Sequence, residues 1–135
     1  MIVVDASAVL ELLLQTPRAD AVSARLFAPR DSIHAPHLLD VEVAQVLRRL
    51  VISRRLSHSR AADAISDLES LHIERYPHLP LLRRIWALRD SVTAYDAAYI
   101  ALAEGLDAPL LTCDRKMARA HGHAAAIELV LQWRR

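Results

Sequence analysis

Thr93-Ala94-Tyr95-Asp96-Ala97-Ala98-Tyr99-Ile100-Ala101-Leu102-Ala103 reads as a helix that is apolar or small nearly all the way round. Such a helix belongs inside a structure rather than on its surface. Yet it carries Asp96 in its first turn. A carboxylate in an apolar element is costly unless something pairs with it, protonates it or coordinates it. Thr93, three residues earlier, offers the bland alternative of a capping box.

Working outward, the C-terminal side reads as a helix end at Gly105, a strand over 108–112 terminating at Cys113-Asp114, a helix over 115–120 stopped near Gly122, and a last strand over 126–130. On the N-terminal side a short helix over 81–88 carries Arg83, Arg84 and Trp86, behind the breaks at Pro77 and Pro80. A strand over 71–74 and an amphipathic helix over 57–70 precede it. Leu38 to Ile52 is clearly helical, with Leu39, Val43, Val46 and Leu50 as its apolar stripe and Leu47 beside it. Before that come a weak strand over 32–35 stopped by Pro36, a helix over 19–27, and a helix over 8–14 that Ser7 is suited to cap and Pro17 closes. The chain opens on Ile2-Val3-Val4, a β-branched run ending at Asp5. Strands alternating with one or two helices predict an α/β three-layer sandwich. Its centre is a parallel sheet of about five strands, with helices on both faces, in a single domain over 1–135.

Composition narrows the function. No apolar run reaches the roughly 18 residues of a membrane span. The opening residues look like a strand rather than a secretory signal, and Cys113 is the only cysteine, so a cytoplasmic protein is expected. Net charge is +1, which selects no partner. The basic residues are almost all arginine, with Lys116 the single lysine. They come in pairs at Arg48-Arg49, Arg54-Arg55, Arg83-Arg84 and Arg134-Arg135, which suits phosphate but also suits a solvated face. With two glycines in all, there is no Gly-rich phosphate loop.

Four of the sixteen acidic residues stand apart. Asp5 and Asp114 end apolar strands, where open α/β sheets form their ligand sites. Glu42 and Asp96 lie on or beside the apolar faces of helices, near the N-terminal ends. All four can converge at one sheet edge. Each has a structural reading, as a helix cap or an ion-pair partner, but together they outrun capping. Clustered carboxylates repel and call for a counter-ion. Hard divalent cations such as Mg²⁺ or Mn²⁺ answer that need, and such a site can activate water against a phosphodiester.

These pieces are similar to the PIN domain family, and within it to the VapC-type ribonuclease toxins. The match is carried by Ile2 to Ala8, by Pro36, Leu39, Glu42 and Val43, by the helix from Thr93, and by Leu110-Leu111-Thr112-Cys113-Asp114. The resemblance implies acidic metal ligands at Asp5, Glu42, Asp96 and Asp114, with hydroxyl support from Ser7 and Thr112. It implies Mg²⁺- or Mn²⁺-dependent endonucleolytic hydrolysis of RNA by metal-activated water, homodimer formation, and control by a small DNA-binding VapB-type antitoxin that alone contacts DNA. Two rivals remain. A non-catalytic PIN-like RNA- or protein-binding module would not need the intact acidic quartet. An aspartyl-nucleophile phosphatase would carry a second Asp where Asp5-Ala6-Ser7 has serine. His121 and His123 read as solvated, Cys113 as a small apolar group, and Tyr95 and Tyr99 as core.

Overall fold

The computed structural model describes residues 1–131. Ile2, Val3 and Val4 are fully buried, as befits a strand covered on both faces, and form β1 (Ile2–Val4). There follow α1 (Ala6–Leu13), α2 (Ala19–Leu26), β2 (Ile33–Pro36), α3 (Leu38–Ile52), α4 (His58–Ser70), β3 (Ile73–Tyr76), a 3-10 turn (Leu79–Leu81), α5 (Leu82–Ala87), α6 (Ala94–Leu106), β4 (Leu110–Thr112), α7 (Arg115–Ala118) and β5 (Ile127–Leu129). The five strands are all parallel, in the order β3-β2-β1-β4-β5.

The chain walks outward from β1 to β3, then returns to the other side of β1 for β4. Right-handed crossovers put α1 to α4 on one face of such a sheet and α5 and α6 on the other. The packing agrees: α1 touches α2, α3 and α4, whereas α6 touches α5, β1, β2 and β4. This is the expected three-layer sandwich. Ala97 to Ala103 of α6 are all buried. Burial of Ile100 and Leu102 contributes about 1.5–3 kcal/mol each, ample to hold the helix in place while Asp96 sits at its start.

Several boundaries differ from expectation for local reasons. Asp5, not Ser7, caps α1: its backbone is extended and its carboxylate accepts the Ala8 N–H at 3.1 Å. Helix α6 continues through Gly105 and ends at Asp107, whose left-handed backbone (φ 49°, ψ 45°) turns its N–H onto the Ala103 and Glu104 carbonyls. Aspartate tolerates that conformation better than most side chains. Pro36 belongs to β2, in register with Tyr76, and the next N–H, that of His37, donates to the Tyr76 carbonyl at 2.8 Å. Strand β3 starts later than expected because Leu71 still closes the last turn of α4. In α3 the buried stripe is Leu39, Val43 and Leu47, with Val46 and Leu50 only partly covered. Tyr99 is core, but Tyr95 is 61% exposed, contrary to expectation. An apolar helix does not itself reveal which flank faces water. The pair Arg134-Arg135 lies outside the described residues.

Candidate active site

The β1–β4 register pairs Val3 with Leu110 and Val4 with Leu111. The next residues, Asp5 and Thr112, therefore stand side by side at the carboxyl edge, where strand order reverses. Asp5 is buried. Its Oδ1 accepts the Ser7 hydroxyl at 2.6 Å and the Ala8 N–H at 3.1 Å, and its Oδ2 accepts the Thr112 hydroxyl at 2.5 Å. Ser7 Oγ accepts the Cys113 N–H at 2.9 Å, and Thr112 Oγ1 accepts the Asp114 N–H at 2.9 Å. The two hydroxyls lie 3.2 Å apart. Ser7 and Thr112 thus lock the Asp5 carboxylate and splice the start of α1 to the end of β4.

Capping accounts for part of the acidic set. Asp5 caps α1, and Asp114 caps α7 through the Lys116 N–H at 2.9 Å. At α6 only half of the capping box forms: the Thr93 hydroxyl accepts the Asp96 N–H at 3.2 Å. Among the described residues the Asp96 carboxylate has no hydrogen-bond partner, so capping leaves it unexplained. Glu42 Oε1 accepts the Tyr99 hydroxyl at 2.6 Å, which ties α3 to α6 above the sheet edge. That role of Tyr99 was missed in the sequence. The available signal was a tyrosine three residues after Asp96 on a buried helix, because a buried phenol seeks a partner.

The four carboxylates share one electrostatic neighbourhood. Burial comes first in pushing the Asp96 pKa up to about 6, and the charges of Asp114, Asp5 and Glu42 add to it, with Lys116 opposing. Burial likewise holds Asp5 above the usual carboxylate range, against the hydrogen bonds from Ser7, Thr112 and Ala8 and with help from Asp114. Burial, then the bond to Glu42, raises the Tyr99 phenol above its ordinary value.

All donors here are carboxylate or hydroxyl oxygens, the set preferred by hard cations. A concentration of negative charge with one lysine to offset it fits an added divalent cation. Among the described residues no three His, Cys, Asp or Glu side chains form a closed metal-holding group. Mg²⁺ in general keeps several of its waters and takes only one or two protein carboxylates.

The remaining candidates have other employment. His123 uses both ring nitrogens locally, one 3.1 Å from the Ala120 carbonyl and the other accepting the Ala125 N–H at 3.1 Å. His121 is exposed. Cys113 is half-buried, and burial pushes its thiol up to about 11, which leaves it a poor nucleophile. Of the arginine pairs, Arg84 is spent on a two-pronged bond to Glu104 at 2.8 and 2.9 Å, while Arg48, Arg49, Arg54, Arg55 and Arg83 are exposed.

Known proteins are similar to this chain in sequence and in fold. The sequence model of the PIN domain family matches residues 2–122. Ribonuclease VapC12 of Mycobacterium tuberculosis is 45% identical over 130 residues, covering 96% of this chain and 99% of that protein. Ribonuclease VapC1 of the same species is 46% identical over 129 residues, covering 95% and 96%. Among solved structures, VapBC2 from Rickettsia felis, bound to a DNA fragment from its promoter, superposes with a TM-score of 0.68 at 14% identity over 96% of this chain and 98% of that one. Among the described residues no helix is long and apolar enough to cross a membrane. The chain belongs to the PIN domain family and is of the VapC type.

Proposed function

We propose that this protein is a Mg²⁺- or Mn²⁺-dependent endoribonuclease, the toxin of a toxin–antitoxin pair. The observation that carries this reading is the Asp96 carboxylate, unbonded and half-buried among Asp5, Glu42 and Asp114. The names of the relatives, ribonucleases at 45% and 46% identity, support RNA as the substrate.

Asp5 and Asp96 would hold the ion, with Asp114 and Glu42 completing the acidic wall directly or through water. When bound, a divalent cation supplies Lewis acidity to water and phosphate. Asp5 presents its carboxylate without rearrangement, since three donors have already oriented it. Glu42 keeps Oε2 free to orient the attacking water or take its proton, because Tyr99 occupies Oε1. Lys116, close enough for Asp96 to feel its charge, neutralises a non-bridging phosphate oxygen. Water attacks the scissile phosphorus in line and gives up a proton to Glu42, while the bridging oxygen opposite it breaks from phosphorus and leaves protonated as an alcohol, so the RNA 2′-hydroxyl takes no chemical part. A small DNA-binding antitoxin and a second copy of this chain are the proposed partners; a related fold occurs in the VapBC2 complex.

The test uses purified protein, bulk cellular RNA and added Mg²⁺. Asp5→Asn and Asp96→Asn each cut cleavage by about a hundredfold or more while circular dichroism stays native. Excess chelator silences the wild type to the same degree. Undiminished cleavage in chelator refutes the metal, and undiminished cleavage by both variants refutes the site. Induced wild type arrests growth, and the two variants do not.

A further inference from the structure

Tyr95 is the residue that the sequence assigned to the core and the structure puts at the surface. It immediately precedes Asp96, yet 61% of it is exposed. It forms one wall of a cleft of about 430 Å³ whose other walls include Leu38, Val41, Glu42, Gln45 and Arg49. Glu42 lines this cleft and belongs to the acidic site, so the cleft borders that site. Val41 is also exposed, giving the cleft an apolar floor beside the aromatic ring. Arg49 is exposed and forms no ion pair among the described residues.

A flat aromatic face, an apolar floor and an unspent guanidinium in one cleft are the parts of a nucleotide pocket. Bases stack on exposed aromatic rings whatever their sequence, and arginine engages the accompanying phosphate. A second cleft, of about 450 Å³, reaches the site through Ser7 and Asp114 and contains Arg18. Val46 lines both clefts. The two clefts thus adjoin along α3, and each carries one member of the acidic site.

We propose that Tyr95 and Arg49 form a binding subsite for the nucleotide next to the scissile phosphate of a single-stranded RNA, the Tyr95 ring stacking on its base and Arg49 holding its phosphate. This rests on the ribonuclease reading above. Tyr95 and Arg49 are positioning residues: they set how tightly and in what register RNA lies across the carboxylates. Stacking of this kind reads base planarity rather than base identity, so the subsite enforces an unpaired nucleotide there and leaves sequence choice elsewhere.

The experiment measures binding apart from chemistry. A fluorescein-labelled, mixed-sequence single-stranded RNA of about 12 nucleotides, within the span of one small domain, is titrated with protein in chelator. Fluorescence anisotropy gives Kd, and cleavage of the same RNA with Mg²⁺ gives KM and kcat. Tyr95→Ala is expected to raise Kd and KM by about 5- to 150-fold with kcat little changed. Tyr95→Phe, which keeps the ring, returns Kd to within about twofold of wild type. Arg49→Gln raises Kd by about tenfold, with the loss shrinking at high salt. A wild type that cleaves RNA while Tyr95→Ala binds it with unchanged Kd overturns the subsite and leaves the ribonuclease reading intact. A fall in kcat alone in Tyr95→Ala also overturns it, since that signals a displaced Asp96. A wild type that neither binds nor cleaves RNA overturns both.

Discussion

Asp5 and Asp96 are the same side chain in opposite conditions. Asp5 is buried and held by three donors, whereas Asp96 is half-exposed and its carboxylate is held by none. Thr112 is the test of the first condition. Thr112→Val removes a donor from Asp5 and an acceptor from the Asp114 N–H, both in a buried setting. We expect a loss of about 1–3 kcal/mol in urea unfolding and a 10- to 100-fold weaker response to Mg²⁺, roughly the cost of losing a supporting hydrogen bond to a ligand. Unchanged stability would mean that the Thr112 hydroxyl is replaceable by water. Asp96 tests the second. Its pKa in the folded protein, about 6, lies above the ordinary 3.8, so the native state holds that proton more tightly than the unfolded chain does. The stabilisation is complete below about pH 4 and is lost as pH rises through about 6. Metal-free Asp96→Asn should therefore melt above the wild type at neutral pH, by the equivalent of about 1–2 kcal/mol once solvent screening of a half-exposed group is allowed for. The gap closes near pH 4, and thermal melts in chelator check it.

At the scale of elements, β2 and β3 are stitched by a buried histidine. His34 Nε2 lies 2.7 Å from Ser32 Oγ, and Nδ1 lies 2.6 Å from the Tyr76 hydroxyl, with the Glu74 carboxylate at 3.6 Å. Burial lowers the His34 pKa below 6.5, while Glu74 pulls it upward. A depressed histidine pKa gives stability that is present above about pH 6.5 and lost as pH falls through the folded value, opposite in sign to Asp96. The difference in melting temperature between His34→Gln and wild type should thus move in the variant's favour from about pH 7 to pH 5. A difference that is constant with pH sinks the idea. None of this stitching was legible in the sequence, where 32–35 looked only like a weak strand. What was legible were features written in local pattern. The stripe of α3, the β-branched run of β1 and the apolar length of α6 each gave a type and a place. Helix ends were less legible, because Asp107 and Leu71 close their helices through backbone bonds that composition does not announce. Pairs that join a helix to a strand, such as Asp40 of α3 with Arg75 of β3 at 2.7 Å and Arg25 of α2 with Glu128 of β5 at 2.7 Å, depend on sheet order and cannot be read from neighbours in the chain. The acidic quartet was legible only because strand ends and helix starts are places where the chain order alone predicts convergence.

As a whole molecule the protein is nearly neutral, at +1. It has no global field to steer a polyanion, so RNA must be gripped locally by few cations. Arg18, Arg49 and Lys116 border the two clefts and the acidic site. If each neutralises one phosphate of a single strand, log binding constant falls with log salt at a slope of about −2, and Arg49→Gln reduces that slope by about 0.7. Anisotropy titrations across a salt series read it directly. A flat dependence would show that the cations do not touch the strand. The sheet order has a further result. The Thr112 hydroxyl and the Asp5 carboxylate that it grips are 107 residues apart in the chain. A ribosome adding about 5–20 residues per second takes many seconds to travel from one to the other. Throughout that interval the nascent chain has only Asp5, Glu42 and, late on, Asp96, with no β4 for β1 to pair with. In the proposed site, therefore, the Asp5 carboxylate cannot meet its Thr112 and Asp114 neighbours until residue 114 has left the ribosome.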